Sequence, residues 1–284
     1  MSKRPQVALL PDGRRLHLHH GPIDLIIEVF DPHREAAYDR AVSRFDRLLD
    51  DLVQELPQLR RPLDGYVFQG PVARRMARAV APFAERFVTP MAAVAGSIAD
   101  EILSALVGDD VIPKAYVNNG GDIAFHLSPG QSVTSLTPVG QFEVAADSSV
   151  RGLATSGWRG RSHSLGIADA VSVAAPTAAA ADVAATLIAN AVNLPDHPAI
   201  TREPANEISP DTDLGNQLVT TAVGQLSAHE TEEALAKGLK TARDFAARGL
   251  IHDAVLGLNG HTVTLKAKGK AADPWLNSPF AKCS

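Results

Sequence analysis

The chain is almost without cysteine. Cys283, the residue before the last, is the only one in 284, which excludes a disulfide framework and any metal centre built from the cysteines of one chain. Basic excess is lacking too. With 27 Lys and Arg against 32 Asp and Glu, the net charge is −5 and the pI is about 6.0, so a protein whose main work is neutralising nucleic-acid phosphates is excluded. Arg14-Arg15, Arg60-Arg61, Arg74-Arg75 and the segment from Arg159 to Arg161 are short basic spots, solvated faces by default, though each could meet a phosphate. No apolar run approaches the about 18 residues that span a bilayer. The start, MSKRPQVALLPDGRR, has too few apolar residues before Pro11 for a signal-peptide core. The expectation is a cytoplasmic protein with no membrane segment and no nucleic-acid partner.

No Ser/Gly-rich linker or charge block divides the chain, and 45% hydrophobic residues are enough for a sizeable core. A single unit over residues 1–267, followed by a loose tail over 268–284, is the expected organisation. QVALL and LHLHH alternate around Pro11-Asp12-Gly13 and predict strands leading into IDLIIEVF. His17 and His19 share a strand face while His20 takes the other, so a solvated or interface strand comes ahead of a metal site, and a homodimer edge is one reading of it. Ala37, Ala41, Phe45, Leu48, Leu52 and Leu56 recur at helical steps and predict one amphipathic helix from Pro32.

Further on, PVARRMARAVAPFAERF reads as a helix interrupted near Pro82. TPMAAVAGSIADEILSALVG reads as another, with Thr89 as N-cap and small residues from Ala92 to Ser97 that admit a close neighbour. AYVN-NGG-DIAF predicts a hairpin, DAVSVAAP a buried strand feeding the helix TAAAADVAATLIANAV, and AVLGL-NG-HTVTLK a closing hairpin. A second long helix follows a Ser227/Glu230 capping box and stops at Gly249. Helices and antiparallel hairpins mix without βαβ alternation, so the class is α+β.

Four places could carry chemistry. Asp182 and Thr186 lie four apart on an otherwise apolar helix, the oxygen donors that suit Mg2+. Spacing alone first explains them as an Asp facing the helix dipole and a Thr bonded back to a carbonyl. Thr155, Ser156 and Gly157 form a turn able to receive a phosphate, or an ordinary loop. His163, in a polar loop, titrates near neutrality and is a candidate acid or base. In NNGGD, Asn119, Gly120 and Gly121 explain themselves as suppliers of positive φ; Asp122 either caps that turn or points to a ligand.

In chain order, AGSIADEIL, AYVNNGGDIAF, LATSG and SVAAPTAAAADVAATLIANAV resemble the segments GxIAKGYAVD, LVNxGGDI, IATSG and SVTVxAPTAxxADALATAL of the ApbE family, the FAD:protein FMN transferases, and more closely the branch called UPF0280. The resemblance runs from about Ala95 to Val192 and implies an ApbE-like fold with mixed antiparallel sheets and packed helices. It implies Mg2+ at Asp182 and Thr186, with the Ser97 carbonyl as a third ligand. It also implies an FAD or FMN nucleotide, or a related pterin-like ligand, near Asn118, Gly120, Gly121, Asp122, Thr155, Ser156 and Gly157. The family transfers FMN to a threonine of a partner protein. Here Asp100 stands in place of the family's Lys, Val94 in place of an Asp, and SHSLGIAD keeps Ser162 and His163 but not the DPxTG turn. The implied functions are two: a nucleotide-binding protein acting on a phosphate linkage through His163, or a non-catalytic cofactor carrier or protein-interaction module.

Overall fold

Alternating burial builds the second strand and most of the third, while the first is exposed along its length. In the computed structural model, which describes residues 4–31 and 34–266, Gln6–Leu9 (β1), Leu16–His20 (β2) and Ile23–Val29 (β3) form an antiparallel meander. Leu16 and Leu18 enter the core, and His17 on the opposite face places Nε2 2.7 Å from Asp24 Oδ1. Asp12 fixes the first turn by accepting the N–H groups of Arg14 and Arg15.

The helix predicted from Pro32 is three segments: Glu35–Phe45 (α1), Leu48–Gln54 (α2) and Leu56–Leu59 (α3). Arg47 widens to φ −107°. At Glu55 the ladder breaks again because its carboxylate turns to accept the N–H groups of Gln69 and Gly70 at 2.8 and 2.7 Å, and Pro57 starts the next turn without an N–H of its own. Pro71–Val80 (α4) ends in a 3₁₀ turn at Ala81–Phe83, the interruption Pro82 predicts. Thr89 caps a second 3₁₀ turn, Pro90–Ala93, and the α-helix proper is Val94–Val107 (α5).

The remaining strands are Lys114–Asn119 (β4), Asp122–Leu127 (β5), Ser132–Thr137 (β6), Gly140–Ala145 (β7), Gly152–Ser156 (β8) and Ala170–Ala175 (β9). Ala178–Ala191 (α6), Ile200–Pro204 (β10), Ala205–Ile208 (α7), Leu218–Val223 (β11), Ala228–Ala247 (α8), Asp253–Leu258 (β12) and His261–Leu265 (β13) follow. Nine strands join one antiparallel sheet in the order β1-β2-β3-β4-β5-β8-β9-β12-β13, with β6-β7 and β10-β11 as separate ribbons. The protein is α+β, as expected. The β10-β11 ribbon has no counterpart in the sequence reading, and the predicted loose tail lies outside the described residues.

Helices α5 and α6 pack on each other and on the middle of the sheet, α5 over β4 and β5, α6 over β8 and β9. The central strand β9 is buried throughout, because the small ribbon β6-β7 brings Phe142 and Val144 against Phe125, Leu127 and Leu153. The stretch Pro90–Val107 is, at a mean hydropathy of 1.4, long and apolar enough to cross a membrane by composition, although it holds Asp100 and Glu101. That corrects the expectation that no such run exists; here the stretch buries Ile98, Ala99, Ile102 and Leu106 in the core. The small residues of α5 serve α6: a Cβ at Gly96 would overlap the carbonyl of Ala178, the first residue of α6.

Candidate functional site

The hairpin turn between β4 and β5 is two residues long, Gly120 at φ 64° and Gly121 at φ 114°. Asn119, expected in the turn, is instead the last residue of β4, and its Nδ2 donates to the Ala95 carbonyl at 3.1 Å. Its side chain therefore fastens the hairpin to the start of α5. The turn itself is capped by Asn118, whose Oδ1 accepts the Gly121 N–H at 2.8 Å. Asp122 is thereby released from turn duty. Its Oδ1 accepts the Thr155 N–H at 3.2 Å from the neighbouring β8.

Asp182 does not face its own helix dipole. Its Oδ2 accepts the Gly96 N–H at 3.0 Å, with a further bond from the Ala95 N–H, so it caps the first turn of α5. Burial pushes the Asp182 carboxyl well above the usual carboxylate range, the charge of Asp122 pushes the same way, and the two N–H groups oppose them. Burial pushes Asp122 up to about 7, against the Thr155 N–H and the Arg161 charge. Two buried carboxyls, one of which raises the proton affinity of the other, make a place where a cation would neutralise charge.

The two other expected ligands lie on the same pair of helices. Ser97 is fully buried, and its hydroxyl has no hydrogen-bond partner among the described residues. Its carbonyl, the expected ligand, sits inside α5, where the helix ladder uses one of its two lone pairs. Thr186 lies one turn beyond Asp182 on the same strip of α6. No group of three or more His, Cys, Asp or Glu side chains is placed to hold a metal among the described residues. The donor set, two carboxylates and two hydroxyls, fits a hard cation such as Mg2+, which binds few protein oxygens and completes its octahedron with water or phosphate.

The TSG segment is tied into this centre through Thr155, whose N–H serves Asp122 and whose Oγ1 lies 2.7 Å from Ser172 Oγ. Ser156 ends β8, and Gly157 passes so close to Asp169 that a Cβ would lie 2.5 Å from its carbonyl oxygen. His163 is not hydrogen-bonded to the carboxylates; its Nε2 is 3.1 Å from Ser209 Oγ.

The basic spot supplies a residue that the motif reading passed over: the Arg161 guanidinium covers Gly120, where a Cβ would overlap Nη2, and its charge reaches Asp122. Asp100, in the family's Lys position, accepts the N–H groups of Ala178 and Ala179 at 3.1 and 3.0 Å, while Thr177 Oγ1 accepts that of Ala180 at 3.1 Å. The α6 N-terminus is thus filled by the chain's own side chains. Burial raises the Asp100 pKa, against those N–H groups.

A family model with the description AbpE bacteria matches residues 7–264. UPF0280 proteins are similar in sequence. That of Methanopyrus kandleri is 41% identical over 127 residues, covering 42% of this chain and 48% of the relative. That of Methanothermobacter thermautotrophicus is 36% identical over 157 residues, 52% of this chain and 59% of the relative. That of Methanococcoides burtonii is 33% identical over 155 residues, 51% and 64%. The chain therefore spans about half to under two thirds of the length of these relatives. Among solved structures, an ApbE protein from Thermotoga maritima matches with a TM-score of 0.47 at 11% identity, covering 93% of this chain and 96% of the other. The apo form of the flavinyl transferase ApbE from Pseudomonas stutzeri matches with a TM-score of 0.48 at 13% identity, covering 94% and 96%. A likeness of that degree transfers no residue roles.

Proposed function

The chain belongs to the family described as AbpE bacteria, and from that premise we propose that it binds a flavin nucleotide, FAD or FMN, or a related pterin-like ligand, with Mg2+ in the cytoplasm. The observation that carries this reading is the buried Asp182 carboxylate, held by the Gly96 N–H at 3.0 Å where the charge of Asp122 reaches it, both carboxyls being pushed upward by burial. Asp182, Thr186 and Ser97 would hold the cation, with Asp122 next to them. When bound, the cation would neutralise phosphate charge and act as a Lewis acid on a phosphate oxygen.

The chain's own residues then divide the work. Asn118, Gly120 and Gly121 shape the turn beside which the ligand lies, and Arg161 meets its phosphate as a charge-assisted donor. Thr155, Ser156 and Gly157 form the opposite wall. His163, held at Ser209, is the proton carrier if a phosphate linkage is cleaved.

Asp100 favours binding over transfer to an acceptor protein. Where the resemblance has a lysine, this chain has a carboxylate already bonded to the α6 N-terminus, so neither a cation nor free N–H donors stand there to meet a reacting phosphate. The test is purification with Mg2+, a visible spectrum for flavin and mass identification of whatever is released, repeated with Asp182→Asn. Flavin or another nucleotide that is bound by the wild type and lost in the variant supports the proposal; no nucleotide bound at micromolar levels in either sinks it. FAD split with FMN left on a protein threonine would restore the transferase reading.

A further inference from the structure

We propose that the open cavity between the β10-β11 ribbon and the end of α6 is a second ligand site, taking a small organic anion of mononucleotide size whose phosphate or carboxylate head lies on Arg202. The cavity measures about 580 Å³ and is lined by Leu165, Asn193, Asp196, Arg202, Gln217 and Leu218 among others. That volume lies within the range of small-molecule sites.

Arg202 carries the argument. It is half-buried on β10, where burial disfavours its charged form and the charge of Asp196 works the other way. No carboxylate lies within ion-pair distance of it among the described residues. A guanidinium that is partly stripped of water on a cavity wall, with Asp196 near enough for its charge to be felt but not paired to it, can receive an anion, because it has five N–H donors and remains charged. Its orientation is set in advance. Nη2 donates to Asn193 Oδ1 at 2.6 Å, and Asn193 Nδ2 donates to the Leu165 carbonyl at 3.1 Å.

The rest of the lining selects the body of the ligand. Asp196, held at φ 59°, repels a second negative charge, so the ligand carries its charge at one end. Leu165 and Leu218 offer apolar walls and Gln217 a carboxamide edge, which suits a flat ring with hydrogen-bonding groups. The site is separate from the carboxylate pair. Leu165 is fixed by its N–H to Asn190 Oδ1 at 2.9 Å, and Asn190 lies eight residues, about 12 Å, along α6 from Asp182. The inference therefore does not rest on the flavin proposal.

Calorimetric titration of the full chain with AMP and with orotate, in EDTA, tests it; AMP presents a phosphate head and orotate a carboxylate. Saturable binding of at least one is expected, weakened roughly tenfold or more by Arg202→Gln and by Leu218→Glu, and unchanged in Asp182→Asn. Leu218 is 53% exposed, so its substitution leaves the fold intact and the result readable even if Arg202→Gln unfolds. Binding that survives both substitutions, binding abolished only by Asp182→Asn, or no binding of either probe at about 5 mM would overturn the proposal.

Discussion

The main-chain N–H of Gly96 donates a 3.0 Å hydrogen bond to the Asp182 carboxylate, joining α5 to α6 across 86 residues of sequence. The bond holds a carboxylate at the point where the charge of Asp122 opposes its ionisation. In the absence of a cation, the side chain contributes as an acceptor and costs stability as a charge.

Those two contributions separate by substitution. Asp182→Asn keeps an oxygen for the Gly96 N–H and removes the charge. In EDTA at pH 8 it is expected to unfold in urea at a midpoint no lower than that of wild type. Asp182→Ala leaves the Gly96 and Ala95 N–H groups without their acceptor and is expected to cost about 1–3 kcal/mol. Both variants should lose the stabilisation that added Mg2+ gives wild type. Equal destabilisation by Asn and Ala would mean that the charge is no burden.

The pH dependence follows from Asp122. Its carboxyl is pushed up to about 7 in the folded protein from an ordinary 3.8, so between those values the native state holds a proton that the unfolded chain has released. Stability from this group is present at low pH, declines as pH rises from about 4 to about 7, and is level above. Urea midpoints across pH 4.5 to 8 in EDTA should show a decline that Asp122→Asn flattens, each unit of displacement being worth about 1.4 kcal/mol. A wild-type profile parallel to that of the variant would contradict the assignment.

Much of this architecture is legible locally. The Asn259-Gly260 turn, both residues at positive φ, and the Ser227/Glu230 capping box are short-range signals, and the structure has both. The identity of the turn cap was not legible: Asn118 and Asp122 flank the same glycines with side chains suited to the task, and Asp122 is withdrawn only by the Thr155 N–H of a strand 33 residues on. Glu55 breaks its helix through a contact with residues 69 and 70 that no window of helical periodicity contains. The β10-β11 ribbon escaped because its strands are separated by α7 and a long loop rather than by a tight turn.

Gly96 offers a test of packing with an unusual sign. Gly to Ala inside a helix ordinarily gains about 1 kcal/mol from propensity. Here the new methyl would overlap the Ala178 carbonyl, which is backbone and cannot rotate away. Gly96→Ala is therefore expected to destabilise by about 1–3 kcal/mol, read as a lower thermal midpoint, and to weaken Mg2+ binding with it, since Asp182 hangs on the Gly96 N–H. A stabilised variant would show that α5 and α6 can separate at little cost.

Arg161 separates binding from folding. Its side chain is exposed and forms no ion pair with a carboxylate within 4.0 Å among the described residues, yet its guanidinium lies over Gly120 and its charge is felt at Asp122. Losing it should scarcely alter thermal stability, because exposed charges contribute little. In the proposed site it is the charge-assisted donor to a ligand phosphate, so Arg161→Gln should weaken nucleotide binding with Mg2+ by roughly tenfold or more, while Arg161→Lys, a point charge without the planar fork, recovers part of it. Titration of FAD into the three proteins at matched Mg2+ distinguishes the outcomes. Equal affinities would leave Arg161 as a cover for the turn and place the phosphate elsewhere, whereas an affinity loss with an unchanged melting temperature ties the guanidinium to the ligand.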